Sequence, residues 1–202
     1  MIRVLLYIKH NLPGVWKLTE TVNGILFKLL YWKRFNEAVS RVLDSSPGSE
    51  YEYRLLQPDD LKSLEALLIN QKPDRLEYFN PHAFDYKSLL NVCNNPAFFM
   101  FGVFKGEELV GYFFLRCFWN RKCFVGRIIC PAYEGKGIGK EMNRIMYNTG
   151  WMAGFRVLST ISRNNKLVMR SHAGNPYMVV VKELKDNYFM VEFLQGTDKD
   201  GI

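Results

Sequence analysis

Gly135, Gly137 and Gly139 alternate with Lys136, Ile138 and Lys140, and that spacing suits an anion. Glycine lets a backbone pass close to a ligand and turn its N–H groups toward it. Ahead of the glycines the apolar run Cys123 to Cys130 has strand character. Behind them Met142, Ile145 and Met146 share one face of a helix. A strand that turns through glycines into a helix presents the unpaired amides of the first helical turn. The positive end of the helix dipole points the same way. Lys136 and Lys140 add full charges, so the run reads as a seat for a phosphate or pyrophosphate.

Two common phosphate loops fail on residues. A Walker-type loop needs Gly, four residues, then Gly-Lys-Ser/Thr. Here Gly139-Lys140 is followed by Glu141, and Glu134 stands where the first Gly belongs. A dinucleotide fingerprint needs G-x-G-x-x-G and an acid about twenty residues on. From Gly135 the third Gly falls at Lys140, and the next strand ends in Thr160-Ile161-Ser162 with no acid.

The stretch Pro131-Ala132-Tyr133-Glu134-Gly135-Lys136-Gly137-Ile138-Gly139-Lys140 resembles the acyl-CoA loop of the GNAT superfamily of N-acetyltransferases. That family's pattern, Gln/Arg-x-x-Gly-x-Gly/Ala, falls on Glu134 to Gly139. Glu134 departs from it, and a carboxylate beside a pyrophosphate is electrostatically unfavourable, so its side chain is expected to turn to solvent or to Lys136. The resemblance implies that the strand ending at Ile129 splays from its neighbour near Arg156–Ile161. The freed backbone then pairs with the pantetheine arm of acetyl-CoA, a variant of strand addition. It also implies that Gly135, Lys136, Gly137, Ile138, Gly139 and Lys140 hold the pyrophosphate, with Arg163 and Lys166 in reach of the adenosine phosphates.

Around this loop the chain, 202 residues long, reads as one medium domain with an appendage. Residues from about 21 to 43 read as one bent amphipathic helix, with Val22, Ile25, Leu26, Leu29, Val39, Val42 and Leu43 on its apolar face. Asp44 to Ser49 reads as a linker, which divides an N-terminal helical extension (1–48) from the main domain (49–202). Within that domain Tyr51–Leu56 alternates like a strand. A helix follows Pro58, with Leu61, Leu64, Leu67 and Leu68 inward, then an irregular piece from Lys72 to Phe84 and a short helix over Tyr86–Cys93. Phe98–Phe104 and Leu109–Phe118 make a hairpin through Lys105-Gly106-Glu107-Glu108. After the glycine loop come a helix over Ile138–Met152, a strand over Arg156–Ile161, a helix over Asn165–His172, and a closing hairpin of Tyr177–Leu184 with Tyr188–Leu194. The order β-α-α-β-β-β-α-β-α-β-β, over about 51–194, resembles that of the GNAT fold. The expected class is therefore α+β: a mostly antiparallel, splayed sheet flanked by helices.

Acetyl transfer to an amine needs a held thioester, an uncharged amine and a proton for the leaving thiolate. A lysine-like amine is neutral in roughly one molecule in 2,500 at pH 7, a penalty of about 4.6 kcal/mol. No acid sits in the strand before the glycines, so base candidates lie in the piece Pro73 to His82. Glu77 and His82 could act directly or through water. The segment from Asn165 resembles the family segment that begins with Asn and carries a Tyr seven positions later. That position is His172, so imidazole stands where the tyrosine donor is usual. Asn165 is implied as a ligand of the pantetheine region. Aromatics at Tyr78, Phe79, Phe84, Phe99, Phe101, Tyr112, Phe114, Phe118 and Trp119 either pack the core or line a pocket for a sugar ring or apolar substrate.

The expected activity is an N-acetyltransferase using acetyl-CoA on a primary amine of a small molecule, an amino sugar among the candidates. A protein or peptide amine, or an acyl-CoA-binding module without turnover, are the alternatives. The net charge of +7 suits a polyanionic co-substrate. The basic residues are scattered among acids, which argues against nucleic acid. The N-terminal helix leaves open a peripheral membrane contact and a homodimer. Met1 to His10 lacks a small-residue cleavage site, so no signal peptide is expected. Cys93, Cys117, Cys123 and Cys130 lack CxxC spacing and read as free thiols of a reducing cytoplasm, with no metal.

Overall fold

A computed structural model of the protein describes residues 13–46, 50–173, 175 and 177–196. The expectations for Met1–His10 and for the Pro47–Ser49 part of the linker lie outside these residues. Seven strands form one sheet: β1 (Glu52–Leu55), β2 (Phe98–Lys105), β3 (Glu108–Cys117), β4 (Lys122–Ile129), β5 (Arg156–Ser162), β6 (Met178–Glu183) and β7 (Tyr188–Phe193). Their spatial order is β1-β2-β3-β4-β5-β7-β6. Every neighbouring pair is antiparallel except β4 with β5. The helices are α1 (Pro13–Leu30), α2 (Trp32–Asp44), α3 (Leu61–Ile69), a single turn α4 (Pro73–Leu76), α5 (Tyr86–Cys93), α6 (Ile138–Met152) and α7 (Lys166–His172). The element order read from the sequence holds, and the piece expected to be irregular contains α4.

Helices cover the sheet on both faces, which accounts for the unbroken apolar runs of β2 and β3. On one face Phe99, Phe101, Val103, Phe113 and Leu115 pack with residues of α1, α2 and α6. On the other, Phe98, Met100, Phe104, Tyr112 and Phe114 pack under α3 and α5. Most of the surplus aromatics of the hairpin are thus core, and Trp119 is exposed. A bidentate pair fixes the start of α3. Arg54 donates to Asp60 at 2.7 and 2.8 Å, and the same carboxylate accepts the Gln57 amide at 2.8 Å.

The N-terminal helices enter the main core, and α1 does so by a face other than the expected one. Val22, Ile25 and Leu29 are exposed, Leu29 by 77%. The buried face carries Asn23, Gly24 and Phe27 instead. Asn23 is the reason. Its amide donates to the Cys117 carbonyl at 2.9 Å and its oxygen accepts the Trp119 amide at 3.1 Å, joining the helix to the end of β3. Phe27 then meets Phe35, Phe99 and Phe155 edge-on. Tyr31 interrupts the helical run between α1 and α2. No helix among the described residues is long and apolar enough to cross a membrane.

Candidate functional site

The site begins where the sheet opens. β4 and β5 pair in parallel only through Lys122–Phe124 and Arg156–Leu158. Ser159 Oγ adds one bond to the Val125 carbonyl at 3.1 Å. Beyond it Gly126–Ile129 keep β3 on one side and have no β5 partner on the other. This is the splay expected at Ile129, and it exposes a row of backbone groups to a ligand.

At the end of that open edge the chain makes a turn of 3-10 helix, Pro131–Tyr133, and enters the glycine loop. Gly135 and Gly137 have φ of +74° and +82°, which favour glycine. A Cβ on either would meet nothing within 4 Å, so the concave side of the loop is open. Gly137 is the N-cap of α6 and the buried Ile138 anchors that helix end in the core. Among the described residues no acceptor takes the amides of Gly135 to Gly139. The Lys140 amide is bonded to the Gly137 carbonyl at 3.0 Å. Five consecutive free amides at a helix N-terminus have the geometry to accept an anion such as a diphosphate. Lys136 and Lys140 are exposed beside it, Lys136 with its ammonium 4.7 Å from the Tyr133 ring centre.

Glu134 stays exposed, as expected, and its ion-pair partner is Arg75 rather than Lys136. It pairs with Arg75 at 2.5 Å, and the same Arg75 nitrogen donates to the Ile129 carbonyl at 3.0 Å. The departure at Glu134 is therefore neutralised by a guanidinium brought from α4. A carbonyl has two lone pairs, so Ile129 retains one for a ligand. Phe79 covers the same stretch of β4 from the sheet face, against Tyr112 and Phe114 and 3.6 Å from where a Gly126 Cβ would stand. Residues 75–79 thus run beside the opened part of β4. Glu77 falls between these two anchors, exposed, and accepts a hydrogen bond from Tyr78.

His82 is placed differently. Its Nδ1 meets the Ala83 carbonyl at 2.9 Å and its Nε2 meets the Tyr112 hydroxyl at 2.8 Å, so both nitrogens are occupied. Burial lowers its pKa, so it is neutral at neutral pH. It borders a separate cleft of about 330 Å³, walled by Glu20, Asn95, Phe98 and Arg116.

His172, at the end of α7, packs against Phe193, with the Asn175 amide 3.3 Å from its Nδ1. Burial and then the Arg127 charge hold its pKa at about 4. A neutral imidazole whose Nδ1 accepts carries its proton on Nε2. Asn165 caps α7, its oxygen accepting the Val168 amide at 3.1 Å, which leaves its NH₂ as a donor. Arg163 is ion-paired with Glu183, and Lys166 is exposed. The structure thus sets Ile129 and the loop on one opened edge, carries Glu77 in the segment that passes it, and sets His82 apart. Arg75 and Arg127 escaped the sequence reading. Only Arg127 had a signal, a lone charge within an apolar strand run.

No family model and no curated protein matches this sequence, whereas solved structures do. The PaiA N-acetyltransferase from Thermoplasma acidophilum, in complex with coenzyme A, superposes with a TM-score of 0.60 at 19% identity over 72% of this chain and 99% of its own. A ribosomal-protein alanine acetyltransferase from Vibrio fischeri gives 0.59 at 15% over 77% and 98%. A spermidine N-acetyltransferase chimera, from Vibrio cholerae and hSSAT, gives 0.52 at 20% over 71% and 93%. The fold is the GNAT fold.

Proposed function

We propose that the protein is an N-acetyltransferase that moves an acetyl group from acetyl-CoA to a primary amine by direct attack. The observation that carries this is the run of five free amides, Gly135 to Gly139, at the end of an opened β4 edge. One side of this surface fits a diphosphate and the other fits an extended amide chain. The PaiA structure of the same fold is a complex with coenzyme A, which supports the same ligand here. In this reading residues 49–202 form the transferase domain, with 1–48 as its extension.

Each residue then has a task. The loop amides, with Lys136 and Lys140, neutralise the diphosphate. Backbone groups of Gly126 to Ile129 pair with the pantetheine amides, and the free NH₂ of Asn165 borders the same channel. Glu77, an exposed carboxylate beside the opening, accepts the proton that the amine must lose, directly or through one water. His172 remains neutral and offers Nε2–H to the channel. The module without turnover loses half its motive, because Arg75 neutralises Glu134.

The acceptor is read as a small-molecule amine. Spermidine and ribosomal-protein alanine acetyltransferases share this fold, so both polyamines and peptide N-termini belong in the test, with amino sugars. Thiol release from acetyl-CoA across these amines decides. Turnover with one class supports the reading, and CoA binding without turnover on any amine would return the chain to a binding module.

A further inference from the structure

Arg127 is a cation set inside the opening with no anion beside it. It projects from the unpaired part of β4 toward α6, where its Nε donates to Asn143 Oδ1 at 2.9 Å. Its Nη1 lies only 2.5 Å from where a Gly139 Cβ would stand. Among the described residues it forms no ion pair with any carboxylate. Its titratable neighbours are Tyr147 on α6 and His172 on α7. Burial holds the Tyr147 phenol well above its usual value, so both neighbours are uncharged at neutral pH.

This arrangement is electrostatically incomplete. Arg127 is partly buried, and withdrawing a guanidinium from water without a counter-ion is unfavourable. Placing it against the first turn of α6 adds repulsion from the positive end of the helix dipole. Gly139 is the residue that admits it there, since any side chain would displace it. The polar groups around it are uncharged: the Asn143 oxygen, already bonded to Nε, the Tyr147 phenol and the His172 imidazole, while its own Nη groups remain donors. A site of one uncompensated cation among neutral groups is complementary to an anion.

Building on the acetyl-CoA reading above, we propose that Arg127 is the electrostatic seat of the departing sulfur, holding coenzyme A as its thiolate. The amine lone pair forms the C–N bond, and the electron pair of the broken C–S bond leaves on sulfur. The proton lost by nitrogen goes to Glu77 or water, and the sulfur takes none until it reaches solvent. His172, uncharged at neutral pH, donates a hydrogen bond to the sulfur without transferring a proton. A fixed charge thereby replaces a proton donor, in a chain whose α7 offers imidazole and no phenol.

The test is the ionisation of the bound thiol, followed by thiolate ultraviolet absorbance across pH, with desulfo-CoA as the blank. A free thiol titrates near about 8.5. Bound to the wild type, the CoA thiol should titrate at least tenfold more acidic. Arg127→Met should cancel that shift, Arg127→Lys should keep part of it, and His172→Gln should keep most. A bound thiol that titrates like free CoA in the wild type overturns the inference while leaving the acetyl-CoA reading intact. So does a shift that survives in Arg127→Met and Arg127→Gln alike. Failure of CoA to bind at all refutes the reading itself. Loss of affinity in Arg127→Met confined to amines bearing a carboxylate would move the anion to the acceptor, and also overturns the assignment.

Discussion

Arg75 and Glu134 lie fifty-nine residues apart and are joined at 2.5 Å across the mouth of the opened sheet. The contact ties the α4 segment to the loop that would carry the diphosphate. Glu134→Gln keeps an acceptor for Arg75 and removes a negative charge near the phosphates. CoA affinity should stay level or rise by a few fold. Arg75→Ala leaves the carboxylate uncompensated and should weaken binding about tenfold, roughly 1.4 kcal/mol. The double variant should recover most of that loss. Calorimetry on the four proteins checks it, and additive effects would show the pair to be uncoupled from binding.

Gly137 and Gly139 fail differently when a methyl is added. At Gly137 there is room, but φ is +82°, so Gly137→Ala should cost about 1–2 kcal/mol of stability through the left-handed backbone alone. At Gly139 the backbone is helical, and the methyl would strike Arg127. Gly139→Ala should therefore cost about 1–3 kcal/mol as an overpacked contact. The discriminating measurement is the double variant with Arg127→Met, which should restore stability at 139 and leave the 137 defect untouched.

Much of this was legible in the sequence, for physical reasons. The glycine loop, the Phe98–Phe118 hairpin and the leucine face of α3 are local patterns, and local patterns survive tertiary context. The face of α1 was not legible. Its periodicity ranked Val22, Ile25 and Leu29 above Asn23, yet Asn23 is buried because the end of β3 offers a carbonyl and an amide for one side chain to satisfy. Glu134 was only half legible for a similar reason: it is exposed as expected, but its pairing was not foreseen. Its partner Arg75 comes from another element, and no spacing in the loop announces it. His82 and Glu77 looked alike in sequence, and only the fold separates a histidine with both nitrogens occupied from a carboxylate left exposed.

His172 should leave a mark on stability against pH. Its folded pKa, about 4, lies below the usual 6.5, so the unfolded chain binds the proton more readily. Stability is therefore whole above about pH 6.5 and declines as pH falls toward 4. The loss should amount to about 3 kcal/mol at most, reduced where water screens the partly exposed ring. In His172→Gln the fall in stability between pH 6.5 and 4 should be smaller by that amount, as read from urea unfolding at several pH values. Parallel slopes would mean that the imidazole protonates freely in the folded protein.

Glu77 and His82 should separate by what they damage. Glu77→Gln should lower kcat at neutral pH by about 10²-fold or more, the usual contribution of a general base, with stability unchanged. His82→Phe strands the buried Tyr112 hydroxyl and should destabilise by about 1–3 kcal/mol while leaving kcat near wild type. The opposite pattern would exchange the two roles.

The most direct measurement is calorimetric titration of the folded wild-type protein with coenzyme A, beside dephospho-CoA and pantetheine. The five free amides of Gly135 to Gly139 predict saturable binding of both diphosphate-bearing ligands and a large loss with pantetheine, which lacks the diphosphate. Equal binding of all three, or no heat with any, would contradict the cradle on which the proposed activity rests.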